Sequence, residues 1–107
     1  MSGIQGGTAN ADYLASAAST GVNTRPNVTA VTSIVLAANT NRRYASFFNQ
    51  SGSVMYFKYG VAAVLNQGIR VPNNTLLEIT GDNLWTGDVS AIVSAGIQPL
   101  DVFEATI

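Results

Sequence analysis

From Asn27 onward, apolar and polar residues alternate in short runs separated by turn residues, at a spacing of roughly ten residues. Residues 30–37 (AVTSIVLA) place Val31, Ser33 and Val35 on one face of a strand and Thr32, Ile34 and Leu36 on the other. Residues 44–49 form a strand with aromatic residues on both faces, Tyr44 and Phe48 opposite Phe47. Gln50-Ser51-Gly52-Ser53 reads as a turn into residues 54–59, where Val54, Tyr56 and Lys58 alternate with Met55, Phe57 and Tyr59. These two runs are predicted to pair as a hairpin. Residues 69–71 make a short strand stopped by Pro72, and Asn73-Asn74 turn the chain into residues 76–80. The triplet Leu84-Trp85-Thr86 follows between two Gly-Asp turns. Residues 89–95 set Val89, Ala91 and Val93 away from Ile92, and residues 100–107 set Leu100 and Val102 opposite Phe103, Ala105 and Ile107.

Seven or eight short strands without a helix predict an all-β domain, an antiparallel β-sandwich or compact jelly-roll-like barrel. Residues 1–26 differ. They are mostly Gly, Ala, Ser, Thr and Asn, and their larger apolar side chains are few, among them Ile4, Tyr13 and Leu14. Such a segment buries too little surface to offset its own ordering entropy. The expected organisation is an extended N-terminal arm over residues 1–26 and a β-sandwich over residues 27–107. A chain of 107 residues supports one such domain.

Charge sharpens this picture. Charged residues make up only 10% of the chain, against about 25% in an ordinary soluble domain. A body so poor in charge is expected to bury part of its surface against partners. Five basic residues, paired only at Arg42-Arg43, give no stripe for tracking phosphates, so nucleic acid is not an expected partner. No apolar run approaches the ~20 residues of a membrane helix, and the first residues lack the pattern of a secretory leader.

Candidate chemistry is sparse. The chain has no His and no Cys, which removes imidazole acid–base catalysis and thiolate sites. No cofactor, small-molecule substrate or enzymatic activity is expected. Asp82, Asn83 and Asp88 in GDNLWTGD could supply oxygen ligands to Ca²⁺, but Asp-Asn and Gly-Asp pairs ordinarily make turns. Glu78 could pair with Lys58 or Arg70 across strands. Tyr44, Tyr56, Tyr59 and Trp85 could stack on sugars or serve as contact anchors, although strand-interior aromatics usually belong to the core. Arg42 and Arg43 sit at a strand entry, where a guanidinium fork could clamp a neighbour's carboxylate or carbonyls.

The segments LAANTNRRYASFFNQSGSVMYFKYG and IRVPNNTLLEITGDNLWTGDVSAIVSAG resemble small β-structured virion proteins of tailed bacteriophages. The resemblance rests on Asn41-Arg42-Arg43-Tyr44, Asn49, residues 56–59 and Trp85-Thr86-Gly87 with Val89, and it leaves out the N-terminal arm. It implies a head decoration or cement protein on the capsid exterior. The partners would be the major capsid protein and the chain itself, as a trimer or dimer. The residues expected at such contacts are Ile4, Tyr13, Leu14 and Arg25 of the arm, with Arg42, Arg43 and Tyr59 of the body. Two other settings remain open: a glycan- or receptor-binding module of a fibre or baseplate, and a tail or head–tail joint protein.

Overall fold

Strands form here where alternating side chains have two layers to separate, one facing a shared core and one facing out. The computed structural model describes residues 17–107, so Ile4, Tyr13 and Leu14 lie outside the described residues. Ten antiparallel strands follow in order: β1 (Thr20–Thr24), β2 (Asn27–Val28), β3 (Ser33–Leu36), β4 (Arg42–Asn49), β5 (Met55–Tyr59), β6 (Ile69–Val71), β7 (Thr75–Ile79), β8 (Val89–Ile92), β9 (Gln98–Pro99) and β10 (Asp101–Thr106). A 3-10 turn occupies Gly81–Asn83.

One sheet has the order β1-β10-β4-β7 and the other β3-β8-β5-β6, while β2 and β9 pair with each other. With β1/β2 and β9/β10 each counted as one broken strand, eight strands remain. The chain changes sheet at each connection between them except the hairpin β5–β6. This is the winding of a jelly roll, within the fold class expected from the pattern.

The core lies between the sheets. Ala45 and Phe47 of β4, Met55 and Phe57 of β5, Val89 and Ala91 of β8, and Ile79, Val93, Leu100 and Val102 are all buried. Phe47 and Phe57 meet edge to face across the two layers, with ring centroids 5.5 Å apart. Each fully buried Phe contributes about 1.5–3 kcal/mol of transfer free energy. The faces expected for residues 89–95 and for Leu100 and Val102 are the observed ones, and these groups are the buried sets.

Three expectations change. First, β4 and β5 do not form a hairpin. β4 pairs with β10 and β7, and β5 pairs with β6 and β8. Residues 50–54 carry the chain from one sheet to the other, and Asn49 holds that arch. Its fully buried amide donates to the carbonyls of Ser53 (2.6 Å) and Val71 (2.9 Å), and its Oδ1 accepts from the N–H and hydroxyl of Ser51. Second, part of the segment expected to be arm is sheet. Thr20–Thr24 run in unbroken register against β10, from Thr20 opposite Thr106 to Thr24 opposite Val102. An edge strand needs backbone partners rather than buried side chains, and all five of its residues are exposed. Third, Leu84-Trp85-Thr86 is loop rather than strand.

Candidate interaction surface

Arg42 is the first residue of β4, and its side chain is fully buried. Nε donates to Glu104 Oε2 at 2.7 Å, Nη1 to the carbonyls of Trp85 (2.8 Å) and Gly87 (3.0 Å), and Nη2 to the carbonyl of Ala37 (2.6 Å). The clamp foreseen for Arg42 exists, but it grips its own chain. This corrects its assignment as a partner contact: a buried guanidinium whose donors are satisfied internally presents nothing to a neighbour. Arg43 is half-buried and donates to the carbonyls of Arg42 (2.9 Å) and Thr40 (3.4 Å), local bonds that close the same corner.

The loop held by Arg42 is organised around Trp85. The indole Nε1 donates to the Asp88 carbonyl (2.8 Å), which also accepts from the Gly60 N–H (2.7 Å). Tyr59 stacks on the indole with centroids 5.9 Å apart and planes 15° apart. The ring lies so close to Gly87 that a Cβ there would stand 2.6 Å from it. Burial raises the Tyr59 phenol above its usual 10.0. Both aromatics are half-buried against the core, so they brace one another instead of offering open faces.

Asp82, Asn83 and Asp88 do not converge as ligands. Asn83 Oδ1 accepts from the N–H and hydroxyl of Thr80, closing the 3-10 turn, and Asp88 Oδ1 accepts from the Ala38 N–H at 2.8 Å. Among the described residues, no three acids gather as a metal site. Turn chemistry explains Asn83, and the Asp88 carboxylate ties its loop to Ala38. Glu78 takes neither expected partner, because its carboxylate accepts from the Tyr44 hydroxyl instead. That bond is the main cause that lifts the Tyr44 phenol above 10.0, with burial second.

What remains open is the outer face of the β1-β10-β4-β7 sheet. Register aligns Asp101, Phe48 and Leu76 in one row and Asn23, Phe103, Ser46 and Glu78 in the next, all opposite in pleat to the core residues Phe47 and Val102. Phe103 leans over Gly21, where a Cβ would come within 2.8 Å of the ring, and approaches Tyr44 at 6.1 Å between centroids. An open groove of about 410 Å³ runs between β1, β10 and β4, lined by Asn23, Arg25, Phe48, Asp101 and Phe103 among others. Arg25, expected at a contact, rims this groove and pairs with Asp101 at 3.1 Å, both exposed. Leu76, 49% exposed, extends the apolar surface toward the other edge.

The groove was missed in the sequence, although its signal was there. Tyr44, Phe48 and Phe103 fall on the faces opposite Phe47 and Val102, and a two-layer body has a core on only one side of each sheet. A second apolar region, on the other sheet, gathers Ile34 and Val61 around a hollow of about 220 Å³. The chain matches no family model, no curated protein and no solved structure.

Proposed function

We propose that this protein is a virion structural protein: a capsid decoration or cement protein of a tailed bacteriophage, bound to the head exterior through its leader and through contacts between copies. The observation that carries the reading is where the leader joins the body. Residues 1–19 lead into β1, an exposed and uncharged edge strand, and the other end of β1 borders the apolar groove about 13 Å away. A segment too polar to fold unaided, attached to an open sheet edge beside an aromatic surface, is suited to lying across a neighbouring subunit. The low charge and the phage-protein resemblance of residues 36–96 support the same setting. On a lattice, many modest contacts of tethered copies add up through effective concentration. The proposed partners are the major capsid protein and further copies of this chain. The glycan-binding setting draws less support, since Tyr59 and Trp85 stack on each other.

The test is deletion of residues 1–16, which removes the leader and keeps β1. Head occupancy and the heat tolerance of the particle are then measured. The reading expects both to fall; particles decorated and heat-resistant as before would reject it.

A further inference from the structure

We propose that β1 is a dimerisation edge. Two copies pair antiparallel through β1 about a two-fold axis at Val22, joining their β1-β10-β4-β7 sheets into one sheet of eight strands. The four outer strands of the two sheets are β1, β7, β3 and β6, and they are not alike. Sheet edges are ordinarily blunted by charge, proline, shortness or bulges. β7 carries Glu78, and β6 carries Arg70 and is followed at once by Pro72. β3 has four residues and a register shift between Ile34 and Leu36. Within its own span β1 has none of these guards: TGVNT holds no charge and no proline, its register with β10 is unbroken, and Arg25 and Pro26 come only after its end, with Arg25 paired to Asp101.

The inner face of β1 is also uncovered. Val22 stands opposite Glu104 and Thr24 opposite Val102, so Thr20, Val22 and Thr24 point to the core side of the sheet. Yet Val22 is 50% exposed, because β1 overhangs the second sheet. Among the described residues, nothing pairs with its free edge.

A second copy fits this edge. Paired antiparallel about Val22, the strand sets Val22 against the partner's Val22, Thr20 against the partner's Thr24, and Gly21 against the partner's Asn23. β-branched residues then face one another, and no like charges are opposed. The patch is self-complementary, as a two-fold interface requires. The same geometry starts each leader beside the partner's Thr24, at the mouth of the partner's groove.

This deepens the self-association in the reading above, and it is tested without the capsid. Sedimentation velocity and native mass spectrometry of the full chain are expected to show a dimer. Val22→Lys or Val22→Glu places like charges together on the axis, and each variant alone is expected to associate at least tenfold more weakly. An equimolar mixture of the two is expected to restore a heterodimer. Val22 is half exposed, so Val22→Lys should melt close to the parent, while Val22→Glu, which stands opposite Glu104 in its own chain, should melt several degrees lower. A parent chain that stays single at about 1 mM, or a Val22→Lys chain that associates as tightly as the parent, overturns the proposal. Head occupancy is measured separately: parent chains that dimerise but never bind heads overturn the capsid reading and leave the β1 pairing supported.

Discussion

Replacing Arg42 by alanine distinguishes an internal clamp from a contact with a neighbour. The substitution removes four hydrogen bonds from one guanidinium, to Glu104 and to the carbonyls of Ala37, Trp85 and Gly87. It also leaves the Glu104 carboxylate, 15% exposed, without its counter-charge. Breaking a buried pair from one side costs about 3–5 kcal/mol. Glu104 regains some water, which moves the ion-pair part toward the lower figure. Ala37 is exposed and Trp85 and Gly87 are only half-buried, so their carbonyls largely regain water and together add about 1 kcal/mol. A total loss of about 4 kcal/mol is a large share of the ~5–15 kcal/mol that holds a domain together. At ~4–8 °C per kcal/mol, Tm should fall by about 15–30 °C. Trp85 is the only tryptophan, and its carbonyl is one of the four acceptors, so its fluorescence reports the melt directly. Arg42→Lys should recover only part of the loss, because an ammonium offers its donors from a single point. If Arg42→Ala unfolds within about 1 kcal/mol of the parent while losing only partner binding, the internal clamp is not what the geometry says it is.

Two further outcomes follow from the same region and the sheet beside it. Gly87→Ala forces a methyl to within 2.6 Å of the indole, so it should destabilise the protein by about 1–3 kcal/mol and shift the Trp85 emission; an unchanged spectrum and melt would show that the ring has room. Glu78→Gln should bring the Tyr44 phenol down toward 10.0 in an absorbance titration, read against Tyr44→Phe to isolate that ring. The folded-state pKa is raised, so the stability from this bond is whole below 10.0 and is lost as pH rises through the raised value. Glu78→Gln should flatten that alkaline decline, and equal decline in parent and variant would remove Glu78 as its cause.

Much of the body was legible because period-two alternation is a local signal. Residues 54–59, 69–71 and 89–95 contain observed strands, residues 44–49 all lie in β4, and Val89, Ala91 and Val93 share one buried face as their alternation implied. Pairing was not legible. Gln50-Ser51-Gly52-Ser53 looks the same whether it folds a hairpin or lifts the chain into another sheet. What decides is Asn49, whose amide reaches Val71 across a separation the pattern does not encode. Arg42 was misread for the same reason: three of its four acceptors lie more than forty residues away, so its entry position suggested a neighbour. Thr20–Thr24 was assigned to the arm because composition measures what side chains can bury, and this strand is held through its backbone. The outer groove needed the register of three strands before its aromatics could be set side by side.

The register of β1 also fixes how the leader transmits tension. A pull directed along the strand axis loads all five residue pairs between Thr20 and Thr24 together, in shear. A pull directed away from β10 peels them one at a time, starting at Thr20, and each step meets only the resistance of a single rung. The same tether is therefore strong in one direction and weak in the other, and the angle at which a leader leaves the body governs how much force the anchorage withstands.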